Sequence, residues 1–203
     1  MSETQLNLLN KMRIILKLVI IGLSIFILIK ADSTCQKISI QAKAGKIAAL
    51  KTCNYTNGLR YDNWYNLDDF RAVKRANEIK MKLYVIGKQD AYILLSPEKD
   101  PGSGDPAYEI MIDYRSDYNV NNYHSVSIRP QKAVYFPKST WHTEDLLNCD
   151  KPNEINLTIN KDDGIKLTVN GGKQYNASKY NNVKYVRFES NTLNPIDYYF
   201  NCD

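Results

Sequence analysis

Residues Leu83–Ser96 read LYVIGKQDAYILLS, and this stretch decides the fold class. Two runs with apolar residues at alternate positions flank the polar tripeptide Lys88-Gln89-Asp90. The alternation extends back to Ile79 and on to Leu95, and a period of two is typical of a β-strand with one buried face. We therefore interpret the two runs as paired strands that share one buried face, with the tripeptide as a turn whose aspartate bonds the backbone.

The same period of two recurs along most of the chain after residue 36. Lys161–Gly164 ends in Asp-Gly between two alternating runs, which predicts a hairpin because glycine takes positive φ freely. Gln36–Leu50 fits either two strands turned at Gly45 or a short interrupted helix. Many short strands predict an all-β fold, an antiparallel β-sandwich of jelly-roll-like form. Further strands are expected at residues 108–112, 126–128, 134–136, 155–159, 165–169, 183–190 and 197–201.

The N-terminus has the organisation of a secretory signal. Basic residues precede a twelve-residue apolar run, Leu18–Ile29, which is shorter than the roughly 20 residues of a membrane-spanning helix. Ile29-Lys30-Ala31 is an acceptable cleavage site, so we expect residues 1–31 to be a cleaved signal peptide. The alternative is an uncleaved anchor, with Lys17 snorkelling, which gives a single-pass membrane protein. Both interpretations place the body of the chain in the lumen or outside the cell.

The charge distribution bears on the partner. Of the net charge of +5, most belongs to the first 31 residues, which hold four basic residues and one acidic residue. The remainder is close to balance, so the charge gives no argument for a nucleic-acid partner. We expect an extracellular ligand, a glycan or a protein, and contact with a membrane only if the leader is uncleaved.

All four cysteines, Cys35, Cys53, Cys149 and Cys202, follow the apolar run. An even number of cysteines in an oxidising compartment predicts two disulfides. Of the three possible connectivities we expect Cys35–Cys53 and Cys149–Cys202, with one bridge at each end of the domain. The spacing matches no zinc pattern, and no metal is expected. Glycosylation sequons begin at Asn54, Asn156 and Asn176.

Patterns for catalysis are weak. The two histidines, His124 and His142, lie in no recognisable nucleophile motif. A nucleotide or S-adenosylmethionine site usually needs a glycine-rich turn that opens a helix. The glycines of Gly102-Ser103-Gly104 instead lie in a proline-rich loop between two predicted strands. The sequence therefore indicates no cofactor and favours a protein that binds without catalysis.

Tyrosine is the compositional outlier, because all 15 tyrosines follow residue 50. Tyrosine beside asparagine and aspartate suits a surface that stacks sugar rings or contacts a protein. Strand composition is the simpler explanation, since tyrosine favours sheets. We place the candidate ligand surface in the loops Asp100–Asp105 and Tyr114–His124 and on the strand that follows. Its candidate residues are Asp113, Tyr114, Tyr118, Asn122, His124 and Arg129.

Three consecutive motifs, KLYVIGKQDAYILLS, YEIMIDY and NNYHSVSIR, resemble the farnesoic acid O-methyltransferase domain family. The resemblance implies an all-β binding module over residues 65–203, after an extension at 32–64 that holds Cys35 and Cys53. The family name implies methyl transfer from S-adenosylmethionine to farnesoic acid. We expect a secreted recognition module that binds a glycan, lipid or protein through loops of the sandwich, and the methyltransferase is the alternative.

Overall fold

The structure is a computed structural model that describes Lys17 and residues 35–58, 63–70, 73–75, 77–101, 107–115, 124–130, 139–144, 146–177, 182–190 and 196–202. The predicted leader, apart from Lys17, and the predicted strand at 134–136 lie outside these residues. Among the described residues, no helix has the length and apolar character to cross a membrane.

The described strands form two antiparallel sheets, of seven and six strands. The first sheet has the order β1 (Asn54–Asn57), β13 (Asp197–Phe200), β4 (Glu78–Ile86), β9 (Asn153–Asn160), β10 (Gly164–Val169) and β11 (Gln174–Ala177), and β3 (Val73–Arg75) also pairs with β4. The second sheet has the order β2 (Tyr65–Asn66), β12 (Tyr185–Ser190), β5 (Ala91–Ser96), β6 (Tyr108–Arg115), β7 (His124–Pro130) and β8 (Ser139–Thr143). The predicted all-β antiparallel sandwich is confirmed.

The strands on either side of Lys88-Gln89-Asp90 do not pair with each other. β4 pairs with β13 and β9 in the first sheet, whereas β5 pairs with β12 and β6 in the second. The prediction of a two-stranded hairpin was therefore wrong, and residues 87–90 carry the chain from one sheet to the other. The two sheets share one core, so a crossing between them leaves the same apolar alternation as a hairpin would.

The core lies between the inner faces of the two sheets. Tyr198, on β13 of the first sheet, crosses this core to the second sheet. Its buried hydroxyl accepts a hydrogen bond from the Tyr92 N–H at 2.9 Å and donates one to the Glu189 carbonyl oxygen at 2.6 Å. Completely or almost completely buried core side chains include Leu83, Val85, Ile93, Leu95, Ile110, Ile112, Ile155, Leu167 and Phe188.

The predicted β9–β10 hairpin is confirmed, with Gly164 at a φ of +91°.

Residues 35–43 are helical, which decides the open question over Gln36–Leu50 in favour of a helix. Gly45 follows with a φ of +68°, a conformation that glycine adopts at the end of a helix without steric cost. A second, smaller apolar cluster packs this segment against the outer face of the first sheet. Its buried members are Ala42, Leu50, Ile86 and Tyr199, with Ile38 and Ile47 packed against them.

Two disulfides are present, as predicted, but their connectivity differs from the expected one. Cys35 pairs with Cys149 and Cys53 pairs with Cys202, so the expected bridges Cys35–Cys53 and Cys149–Cys202 were wrong. The cause lies in the sheet: β1 pairs with β13 in the register Asn54↔Phe200, which brings the residues just outside the two strands together. The strand order thus accounts for the bridge between Cys53 and Cys202.

Candidate functional site

Asp113, predicted to contact a ligand, is fully buried in the structure. Its carboxylate oxygen Oδ2 accepts the backbone N–H groups of Leu146 and Leu147, at 3.0 and 2.8 Å. Its φ of +57° lies in the left-handed region, at the register shift between Met111 and Tyr114. The carboxylate therefore holds the loop before β9 to β6, which is a structural role.

The other predicted ligand residues are divided between two parts of the second sheet. Tyr114 is half-buried and its ring lies 6.5 Å from that of Tyr92, between centroids. In the backbone register of β6 and β7, His124 lies opposite Arg115 at the start of β7, and Arg129 lies opposite Glu109. Arg129 is five residues further along β7 than His124, about 16 Å away at strand spacing. Tyr118 and Asn122 lie outside the described residues.

A cavity of about 360 Å³ lies elsewhere, between the helix at residues 35–43 and the outer face of the first sheet. The helix contributes one wall, with polar side chains three and four residues apart along one face. Strands β1, β4 and β13 contribute the other wall. The lining residues are Cys35, Gln36, Ser39, Lys43, Asn57, Ile86 and Asp197.

Asp197 is the centre of the polar groups in this cavity, and only 6% of its surface is exposed. Its Oδ1 accepts the Tyr55 hydroxyl at 2.8 Å and the Asn57 Nδ2–H at 3.0 Å. Its Oδ2 accepts the Ser39 hydroxyl and forms an ion pair with the Lys43 ammonium, with Nζ at 3.2 Å. Each carboxylate oxygen therefore has two partners, and the helix is joined to β1 and β13 through one side chain.

The electrostatics of this cluster favour the ion pair. Burial by itself raises the pKa of Asp197, but hydrogen bonds from Ser39, Asn57 and Tyr55 and the charge of Lys43 outweigh it, so the pKa is lowered. Burial likewise lowers the pKa of Lys43, yet the interactions with Tyr55 and Asp197 outweigh it and the pKa is raised. Both groups are therefore charged at neutral pH, and their charges cancel.

An exposed aromatic ring lies beside the ion pair. Tyr55 is 42% exposed, and the Lys43 ammonium lies 4.9 Å from its ring centroid. The rings of Tyr55 and Tyr199 lie 5.3 Å apart, between centroids. Burial raises the pKa of Tyr199, whose buried hydroxyl has no hydrogen-bond partner among the described residues. The cluster thus combines a polar cavity with an aromatic surface open to solvent.

Sequence reasoning missed Ser39, Lys43 and Asp197 as site residues. Ser39 and Asp197 are 158 residues apart along the chain, and no local pattern joins them. One signal was available, because the positions of Gln36, Ser39 and Lys43 share a face if the segment is a helix. The sequence left helix and strand open in this segment, so it did not predict that the three side chains share one face.

A second polar cluster lies on the second sheet. The Arg187 guanidinium lies 4.6 Å from the Trp64 ring centroid and forms an ion pair with Glu189. Burial raises the pKa of Glu189, although Arg187 opposes this. Trp64 Nε1 and Arg187 Nε are buried and have no hydrogen-bond partner within the part of the chain that the structure describes. The cluster links β12 to the segment directly before β2.

Among the residues that the structure describes, no group of three His, Cys, Asp or Glu side chains is placed to hold a metal ion.

Taken together, these features define an antiparallel β-sandwich with a disulfide-bonded N-terminal helix that encloses a polar cavity. The chain belongs to the farnesoic acid O-methyl transferase family, whose sequence profile matches residues 60–203. The resemblance inferred from the three motifs is thereby confirmed. A comparison with curated protein sequences found no match.

Several solved structures resemble the chain in fold at low identity. A tetrameric galectin from the ball sponge Cinachyrella sp. is 11% identical, with 70% of this chain and 88% of that one covered and a TM-score of 0.36. Porphyranase B from Zobellia galactanivorans is 8% identical over 72% of this chain and 65% of that one, with a TM-score of 0.39. A β-glucanase from Bacillus licheniformis is 9% identical over 74% and 95%, with a TM-score of 0.33.

Proposed function

We propose that this chain is a secreted, non-catalytic recognition module that binds an extracellular ligand in the cavity around Asp197. The observation that supports this most strongly is the cavity itself, in which a nearly buried carboxylate holds four partners in place. A ligand group that enters meets side chains that are already oriented, so little conformational entropy is lost on binding. Such a concave site with a few convergent polar groups is typical of binding pockets.

The compartment is part of the proposal. All four cysteines are paired, and disulfides persist in oxidising compartments. The three sequon asparagines, Asn54, Asn156 and Asn176, lie on β1, β9 and β11 of the first sheet, where we propose that they carry glycans. In this proposal residues 1–31 are the leader, removed on secretion, residues 32–64 form an extension, and residues 65–203 form the sandwich domain, within the region 60–203 that the family profile matches. The ligand surface predicted around Tyr114 and Arg129 remains a second proposed contact region.

The proposal is tested with the full chain expressed in secretory cells. We expect it in the medium with a new N-terminus near residue 32, and we expect it to bind at least one class among glycan arrays, extracellular proteins and lipid vesicles. Binding should be lost in Asp197→Asn. It should be kept in Asp163→Asn, the same chemical change at an exposed hairpin on the first sheet.

Two results would overturn the proposal. One is retention of the chain in the cytosol. The other is that, for each of the three ligand classes, binding is either absent or unaffected by Asp197→Asn. The alternative function, methyl transfer to farnesoic acid, is favoured by the family name alone. Calorimetry with S-adenosylmethionine decides between the two, because micromolar binding of that cofactor would favour the enzyme.

A further inference from the structure

Among the residues that the structure describes, the lining of the cavity around Asp197 carries both signs of charge but no net charge. Its carboxylate and the Lys43 ammonium are paired at 3.2 Å. A strongly anionic ligand would meet the Asp197 carboxylate, and a strongly cationic one would meet the ammonium. Opposite charges at this separation attract one another, and a charged ligand would have to disturb that pair. The arrangement therefore favours a ligand that is neutral.

Hydrogen-bonding groups of both kinds lie next to one another on the helical wall. Gln36 carries an amide that donates and accepts, the Ser39 oxygen has lone pairs, and the Lys43 ammonium has three N–H groups. The Lys43 side chain is 46% exposed, so its ammonium group is accessible from solvent. A hydroxyl group both donates and accepts, so neighbouring hydroxyls on one ligand match such a row.

The lining is unsuited to a lipid. Ile86 is the one aliphatic residue among the described lining residues, whereas Gln36, Ser39, Lys43, Asn57 and Asp197 carry polar or charged groups. Pockets for drug-sized ligands are lined predominantly by hydrophobic and aromatic side chains. Burying an alkyl chain against these amide, hydroxyl and charged groups would remove their water without supplying new hydrogen bonds, which is unfavourable for each group left unpaired. A farnesyl chain therefore fits this cavity poorly.

The volume of the cavity and the exposed ring of Tyr55 beside it restrict the class of ligand further. A volume of about 360 Å³ is near the lower end of the range of roughly 300–1,000 Å³ found for ligand pockets, which suits one small ring. The ring of Tyr55, which is joined to Asp197 through its hydroxyl, lies next to the lining residues and is 42% exposed. A sugar ring has hydroxyls at its edge and C–H groups on its face, which correspond to the polar lining and to this aromatic ring.

We infer that the cavity between the N-terminal helix and the first sheet binds a neutral, hydroxyl-rich ring, the terminal sugar of a glycan. This inference rests on the proposed recognition function and specifies its ligand. The helical wall contacts the hydroxyls through Gln36, Ser39 and Lys43, and Tyr55 stacks on the ring. Asp197 orients these groups and accepts from the ligand only where one of its present donors turns away.

The test uses the secreted full chain after enzymatic removal of its own N-glycans, so that no sugar on Asn54 competes. The probes are glucose, galactose, mannose and N-acetylglucosamine as methyl glycosides, with glucuronic acid and farnesoate as the charged and apolar comparisons. Saturation-transfer NMR detects weak binding, and titration gives the dissociation constants. We expect at least one neutral sugar to bind with an affinity that hardly changes between low and high salt, because a neutral ligand has no charge to screen.

Three variants locate the bound sugar. Lys43→Ala, at a half-exposed position, should weaken binding roughly 10- to 150-fold, the fold-change that corresponds to a hydrogen bond to a charged group of ~1.5–3 kcal/mol. Tyr55→Phe keeps the ring but loses the hydroxyl, so it should retain more affinity than Tyr55→Ala. Asp163→Asn is the control and should bind as the wild type does.

The outcomes separate the ligand class from the function. If only glucuronic acid or farnesoate binds, and Lys43→Ala weakens that binding, the sugar inference is wrong while the recognition function stands. If neutral sugars bind but no cavity variant weakens them, the cavity is not their site and the inference is also wrong. If none of the probes, extracellular proteins or vesicles bind in a way that depends on the cavity, both proposals fail.

Discussion

The crossing between the two sheets makes a sharp prediction at Gly87, within the stretch LYVIGKQDAYILLS. A Cβ atom on this residue would lie 2.0 Å from Cδ1 of Ile196 and 3.2 Å from its Cγ1. Ile196 is fully buried, directly before β13, so its methyl group cannot move into solvent. Overpacking of this kind costs about 1–3 kcal/mol, and we expect Gly87→Ala to lower the free energy of unfolding by that amount.

A double-mutant cycle isolates the contact. Ile196→Val removes the Cδ1 methyl and should by itself cost about 0.5–1.5 kcal/mol. In that background the added methyl of Gly87→Ala finds space, so its cost should fall to a few tenths of a kcal/mol. The expected coupling is about 1–2 kcal/mol in the favourable direction, well above the error of such cycles.

Urea unfolding of the oxidised protein, followed by tryptophan fluorescence, measures each variant. With a slope of about 2 kcal/mol/M, Gly87→Ala should lower the midpoint by about 1 M, and the double variant should unfold close to Ile196→Val. The reasoning is refuted if Gly87→Ala is neutral, or if its cost is the same in both backgrounds. Either result would mean that residue 87 does not pass over Ile196 between the sheets.

Two further predictions concern buried carboxylates. Asp113→Ala leaves two backbone N–H groups without their charged acceptor and should lower the free energy of unfolding, measured in urea, by about 3–5 kcal/mol. Asp113→Asn keeps one oxygen and should lower it less. Neither variant should change ligand affinity. Because the folded pKa of Asp197 is lowered, its contribution to stability is present above the ordinary pKa of about 3.9 and lost as pH falls through the folded pKa. The difference in unfolding free energy between wild type and Asp197→Asn should thus be constant from pH 5 to 8 and shrink in acid, and a difference that grew in acid would contradict this pKa.

The sequence predicted which residues face the core more reliably than which strands are neighbours. Leu83 and Val85 on β4, and Ile93 and Leu95 on β5, are all buried as their alternation indicated. Alternation reports only whether a side chain faces the core, and in a sandwich both sheets face the same core. Whether two consecutive strands pair or lie in opposite sheets depends on the competing partners, here β13 and β12, which come about 100 residues later.

The connectivity of the disulfides and the role of Asp113 escaped sequence reasoning for the same physical reason. Cys53 and Cys202 are 149 residues apart, and only the pairing of β1 with β13 brings them together. Asp113 follows an alternating strand, where a surface loop was expected, but its carboxylate is used by a backbone segment 33 residues further on. A carboxylate at a strand end looks the same in sequence whether it faces a ligand or an unpaired N–H group.

The position of the family profile has a consequence for specificity. The profile begins at residue 60, so Asp197 lies inside the matched region while the helical wall and Asn57 lie before it. The sandwich core is built from the matched region, whereas the helix is attached by the bridge Cys35–Cys149 and a small apolar cluster. A family member with a different extension would keep the sandwich and lose or alter the cavity. If the cavity is the ligand site, its selectivity is therefore a property of this chain's extension, and the family name is a poor guide to what it binds.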